Sequence, residues 1–129
     1  MFRINHLHLK SRDPKASADW FVQAFNFQVL TDEQRSTGDR FVRCLTEDGG
    51  MRVFFSGERD GEVLHDGATG VHLGIEHIGI DTADVVAHVE RLQAMGARLI
   101  EGPRPGVGSA MVAFVETPDG IRIELMQPK

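Results

Sequence analysis

The chain is poor in the residues that would stitch or anchor it. One cysteine, Cys44, occurs in 129 residues, beside one tryptophan and no tyrosine. A single cysteine excludes an internal disulfide and any zinc site built from a cysteine cluster. Long apolar runs are missing too. Met111-Val112-Ala113-Phe114-Val115 is among the longest, far short of the roughly 20 residues that a membrane-spanning helix needs. No Lys/Arg block exists, and 14 basic residues face 19 acidic ones for a net charge of −5, which argues against a nucleic-acid backbone as partner. No basic, apolar leader with small residues at its end follows Met1, so the expected location is the cytoplasm. What is there is ordinary globular composition, 41% hydrophobic and 26% charged, with six histidines. A domain of this size buries only a modest core, so a homodimer is expected.

The sequence repeats itself. Ile4-Asn5-His6-Leu7-His8-Leu9 and Ile75-Glu76-His77-Ile78-Gly79-Ile80 are both short alternating runs, the pattern of half-buried strands. Each leads to a helical stretch. The first opens at Asp13-Pro14, a good N-cap followed by a good first helical residue, and carries Ala18, Phe21, Val22 and Phe25 at helical spacing. The second opens between Asp81 and Asp84, carries Val85, Val86, Val89, Leu92 and Met95, and stops at Gly96. Strands are then expected over 28–31, 40–46 and 51–56, and again over 98–101, 110–116 and 121–127. The last two of each set flank a tight turn, Glu47-Asp48-Gly49-Gly50 or Thr117-Pro118-Asp119-Gly120, and Asp-Gly between apolar runs is a hairpin signal. The fold class is therefore α+β: paired βαβββ modules over 1–57 and 74–129 of one domain, joined by a glycine-rich connector, 58–73. That connector is either a plain linker or a mobile cover over a pocket.

Strand alternation sorts the side chains by face. Leu7 and Leu9 match Ile78 and Ile80 on the apolar face, which makes His6 equivalent to His77; matching His8 to His77 instead would set Ser11 against Ile80. On the last strand, Ile121, Ile123 and Leu125 are apolar, while Arg122, Glu124 and Met126 point the other way. If each helix covers its apolar face, His6, His77 and Glu124 share a polar concave surface. An inward carboxylate needs a cation or a hydrogen-bond donor, and one divalent metal would satisfy Glu124 and both imidazoles.

These stretches, with Thr117-Pro118-Asp119-Gly120-Ile121-Arg122-Ile123-Glu124-Leu125 the most specific, resemble the vicinal oxygen chelate superfamily: glyoxalase I, extradiol dioxygenases, methylmalonyl-CoA epimerase, and fosfomycin- and bleomycin-resistance proteins. The resemblance covers nearly the whole chain. It implies a cup-shaped mixed sheet that holds a metal, with substrate chelating through two oxygens, and it implies His6, His77 and Glu124 as ligands. Glyoxalase I and its close relatives add a carboxylate or amide on the last strand of the first module. Repeat alignment puts Phe54 at that position, beside Val53 and Arg52, and none of these replaces a carboxylate.

Two histidines, one carboxylate and open positions suit non-haem Fe(II) binding substrate and O2 together, with Mn(II), Ni(II), Co(II) or Zn(II) as alternatives. The expected activity is an extradiol-type dioxygenase on a small dihydroxy-aromatic-like molecule. The alternatives are a glyoxalase I-like lyase, isomerase or thiol transferase, and a non-catalytic binding protein of the bleomycin-resistance kind. His8, two residues and roughly 7 Å beyond His6 on the same face, is the candidate acid/base. Phe54 would wall the substrate, and Arg122 and His72 are candidate substrate contacts. The plainer readings are cross-strand charge pairing for Arg43, Arg52 and Arg122, solvent exposure for His88, and a connector position for His65 and His72.

Overall fold

The computed structural model describes residues 1–68 and 70–129. It contains two compact units, Met1–Asp66 and Gly67–Lys129. The expected connector, 58–73, includes Thr69, which lies outside the described residues.

The first unit runs β1 (His6–Lys10), α1 (Pro14–Phe25), β2 (Gln28–Gln34), β3 (Arg40–Leu45) and β4 (Arg52–Ser56). The second runs β5 (Ile78–Asp81), α2 (Val85–Ala94), β6 (Arg98–Gly106), β7 (Ser109–Glu116) and β8 (Arg122–Gln127). Each unit is one four-stranded mixed sheet, ordered β1-β4-β3-β2 or β5-β8-β7-β6. The first strand of each lies parallel to the last, and the remaining pairs are antiparallel. The α+β architecture and the repeated βαβββ order are as the sequence implies.

Local chemistry explains the helices. The Asp13 carboxylate accepts from the Ala16 N–H at 3.1 Å, Pro14 takes the first turn, and Asn26 closes the helix at φ 57°. The Asp84 carboxylate accepts from the Ala87 N–H at 3.0 Å, and Gly96 follows the cap residue Met95 at φ 92°. In both cases a side-chain oxygen satisfies an orphan donor of the first turn. Pro14, Ser17, Ala18, Phe21 and Ala24 form the buried stripe of α1, and Val85, Val89 and Leu92 that of α2. Phe21 meets Phe55 at a 5.2 Å centroid distance, in a core that also holds Val42, Cys44 and Val53. Leu92 belongs to a core with Ala113, Val115, Ile123 and Leu125.

Four boundaries differ from the sequence reading by more than one residue. β1 and β5 begin later, at His6 and Ile78, and leave Ile4 and Ile75 largely exposed. β1 begins where its partner β4 does, at the pair His6–Arg52, while β5 begins at Ile78, which pairs with Ile123, one residue into β8. β2 runs on past Thr31 to Gln34. All its residues are exposed, so no apolar alternation marks the extension. Pairing with β3 carries it, helped by Arg40 on Asp32 at 2.8 Å and Arg43 on Glu33 at 2.6 Å. β6 runs on to Gly106 through a register shift at Gly102-Pro103. Gly102 is required there: its φ is +84°, and a Cβ would stand 2.7 Å from the Val112 carbonyl oxygen.

Candidate metal centre

Register fixes which residues of the two modules correspond. In the second unit Ile78 pairs with Ile123, and Gly79 with Glu124, which itself pairs with Phe114 of β7. In the first unit Leu7 pairs with Val53, and His8 with Phe54, which itself pairs with Arg43 of β3. Matching the two ladders makes Phe54 the counterpart of Glu124 and His8 the counterpart of Gly79. The histidine one residue before Ile78, His77, is then the counterpart of His6. That the repeat counterpart of Glu124 is a phenyl ring is a feature of the folded ladder, not only of the alignment.

In the second unit, two of the expected ligands meet. His77 Nε2 lies 3.0 Å from Glu124 Oε2, with the side chains 29% and 18% exposed. The other ring nitrogen of His77, Nδ1, lies 2.6 Å from Glu76 Oε2. The ring stands edge-on to Phe114 at 5.3 Å. Each ring nitrogen of His77 thus faces a carboxylate oxygen; a neutral ring donates from one nitrogen only, and the Nδ1–H tautomer is the one that leaves the Nε2 lone pair open to a cation beside Glu124. An imidazole and a carboxylate side by side, with the far ring nitrogen already held by a second carboxylate, are donors that suit a divalent transition metal.

In the first unit, His6 Nδ1 donates to Asn5 Oδ1 at 2.8 Å, and the ring lies flat on Phe54, centroids 4.3 Å apart. With Asn5 Oδ1 accepting from Nδ1, a neutral His6 keeps its lone pair on Nε2. Among the described residues no group of three His, Cys, Asp or Glu side chains is gathered closely enough to hold a metal ion; the pair of His77 and Glu124 is what the second unit itself brings together.

The other candidates occupy distinct settings. His8 shares the open face with His6; its Nε2 and the buried Ser56 hydroxyl are hydrogen-bonded at 2.7 Å. Burial lowers its affinity for a proton, and Lys10, His6, Arg35 and Arg59 push the same way. Phe54 is half-buried between His6 and Phe41, whose ring also lies under the guanidinium groups of Arg35 and Arg43 at 4.5 and 4.3 Å. Arg122 reaches Glu76 Oε1 at 3.4 Å. His72 is exposed and donates from Nδ1 to the Gly70 carbonyl at 2.9 Å. His65 is exposed, and His88 Nδ1 accepts from Arg91 Nε at 3.1 Å. Sequence reasoning passed over Asn5, Glu76 and Ser56. The first two had a signal: each directly precedes a repeat-equivalent histidine and carries a side-chain oxygen that can accept a hydrogen bond.

The chain matches the Glyoxalase/Bleomycin resistance protein/Dioxygenase superfamily over residues 3–125. It belongs to that superfamily. Among curated relatives, the lactoylglutathione lyase of Pseudomonas aeruginosa is 26% identical over 152 aligned positions, 96% of this chain and 81% of that one. A probable lactoylglutathione lyase of Synechocystis is 34% identical over 55 residues, 42% of each chain; that match spans less than half of the relative. Among solved structures, a glyoxalase family protein from Bacillus cereus superposes with a TM-score of 0.84 at 18% identity, covering 98% of this chain and 94% of that one. The fosfomycin resistance protein FosX of Listeria monocytogenes, complexed with Mn(II) and sulfate ion, superposes at 0.71 with 16% identity, over 100% and 94%. The expectation of a metal-dependent enzyme of the glyoxalase superfamily accords with the lyase names of the relatives. No helix is long and apolar enough to cross a membrane among the described residues.

Proposed function

We propose that this protein is a metal-dependent lyase or isomerase of the glyoxalase I kind, with His77 and Glu124 of the second unit as protein ligands, His6 as the repeat-equivalent candidate of the first, and a small molecule as substrate. The observation that carries the reading is the facing pair of His77 Nε2 and Glu124 Oε2 at 3.0 Å, with Glu76 Oε2 at 2.6 Å from Nδ1 on the other side of the ring. The names of the relatives favour a lyase. That reverses the order drawn from the ligand set, which put a dioxygenase first.

A bound divalent ion would act as a Lewis acid on two neighbouring substrate oxygens. The chain's own residues do the rest. His77 and Glu124 would hold the ion, and Glu76, on the other ring nitrogen, orients the His77 imidazole. Phe54, the repeat counterpart of Glu124 in the first unit, offers an apolar ring there in place of a carboxylate. A proton shift beside a carbonyl still needs a base. His8, on the same face as His6 and hydrogen-bonded to Ser56, is the side chain assigned that role.

The test reconstitutes metal-free protein with Ni(II), Co(II), Mn(II) or Zn(II) and follows thioester formation from glutathione and methylglyoxal. Turnover that requires the metal and is lost in Glu124→Ala is the expected result. A second reading, an extradiol-type dioxygenase using Fe(II), is favoured by Phe54 at the place of a fourth ligand. Oxygen uptake with a catechol panel after anaerobic Fe(II) loading, with no thioester formed under any metal, would replace the first reading by the second.

A further inference from the structure

The two histidines share a feature that neither the fold nor the ligand set requires. Each sets its Nδ1 at hydrogen-bond distance from a side-chain oxygen of the residue immediately before it: His6 at 2.8 Å from Asn5 Oδ1, and His77 at 2.6 Å from Glu76 Oε2. The contact recurs at equivalent positions of modules that otherwise differ around the ring, since His6 lies flat on Phe54 while His77 stands edge-on to Phe114. A neutral imidazole carries one proton, so a partner that accepts from Nδ1 leaves Nε2 with the lone pair.

The partners are not alike. Asn5 is neutral. Glu76 is a carboxylate, and its second oxygen lies 3.4 Å from Arg122 Nη1. Arg122 stands on β8 two residues before Glu124, on the same face of the strand, opposite Glu116 of β7. Arg122, Glu76, His77 and Glu124 thus form a line of side chains in which each touches the next. A carboxylate behind an imidazole draws its Nδ1 proton and makes Nε2 a stronger donor than an amide does.

We infer that Glu76 is a positioning residue that fixes the tautomer and aim of His77, with Arg122 holding Glu76 in place and Asn5 serving His6 in the weaker, uncharged form. The inference rests on the metal-centre reading. It makes the two histidines unequal: His77 is the stronger donor and the one whose loss of support weakens the site more. It also gives Arg122 a task in the protein itself, in place of a substrate contact.

The test uses the full chain, uniformly labelled with 15N, as wild type and as Glu76→Ala, Glu76→Gln, Asn5→Ala and Glu124→Ala. Glu76 is half-exposed at the surface, 52% for its side chain, so these variants are expected to keep the wild-type circular dichroism spectrum. Two readouts are taken. Long-range 1H–15N spectra of the metal-free protein report the tautomer of His77. Competition against a chelating dye reports affinity for Mn(II) and Zn(II). The wild type is expected to show the Nδ1–H form. Glu76→Ala should shift the ring towards Nε2–H and weaken metal binding about 10- to 100-fold. Glu76→Gln, whose amide oxygen still accepts, should keep the tautomer and recover part of the affinity. Asn5→Ala should cost less than Glu76→Ala. If the wild type binds metal and Glu76→Ala matches it in affinity and in His77 spectrum, the positioning role is overturned and the metal centre stands. If the wild type binds neither metal, the metal centre itself falls, and the inference falls with it.

Discussion

Replacing Glu124 by alanine separates a metal ligand from an ordinary surface ion pair. Without metal, Glu124 faces one imidazole nitrogen at 3.0 Å, and neither side chain is fully buried. Pairs of this kind contribute about 0.2–1 kcal/mol. For a chain of this length about 1 kcal/mol moves the melting temperature by roughly 4 °C, so metal-free Glu124→Ala should melt within about 4 °C of the wild type. Metal changes the comparison. A cation present at about 100 times its dissociation constant stabilises the folded state by ~2.7 kcal/mol, or roughly 10 °C on the same scale. The expected pattern from calorimetry or dye-monitored melting is a large upward shift with Mn(II), Co(II) or Zn(II) in the wild type. Glu124→Ala should show almost none at the same concentration. A wild type that gains nothing from any divalent ion refutes the reasoning, as does a Glu124→Ala protein that gains as much as the wild type.

Two further outcomes follow from the first unit. Phe55 is fully buried against Phe21, so Phe55→Ala should cost about 3–5 kcal/mol, read from the midpoint of urea unfolding at unchanged slope; a loss under about 1 kcal/mol would mean that the aromatic cluster is not the core of this unit. Burial pushes the Cys44 thiol up to about 11, above the usual value near 8.5, so the native protein should resist iodoacetamide at pH 8 and react only once unfolded by urea. The sign for stability follows from the raised value: the fold disfavours the thiolate, so this contribution is whole below about pH 8.5 and is lost as the pH climbs towards 11. Rapid labelling of the folded chain at pH 8 would contradict the burial of Cys44.

Much of this protein was legible from neighbours along the chain. The repeat of β-α-β-β-β, the caps at Asp13 and Asp84, the two Asp-Gly hairpins and the alternation that puts Leu7 and Leu9 opposite His6 and His8 are all local. They depend on strand period, helix period and turn stereochemistry, which a sequence carries directly. The equivalence of His6 with His77, and of Phe54 with Glu124, was readable for the same reason, because a one-residue slip would have turned the apolar faces outward. The ends of the elements were not. Where β1 begins is decided by where β4 can pair with it, and β2 is extended by ion pairs to a strand that comes later in the chain. The partners of the site belong to that second class. A sequence shows that Glu76 precedes His77, but only the folded unit brings Glu124 to Nε2 at 3.0 Å while Glu76 holds Nδ1 and Arg122 holds Glu76. Hydrogen bonds between side chains on different strands depend on register, rotamer and burial together, and those are settled when the sheet closes on its helix.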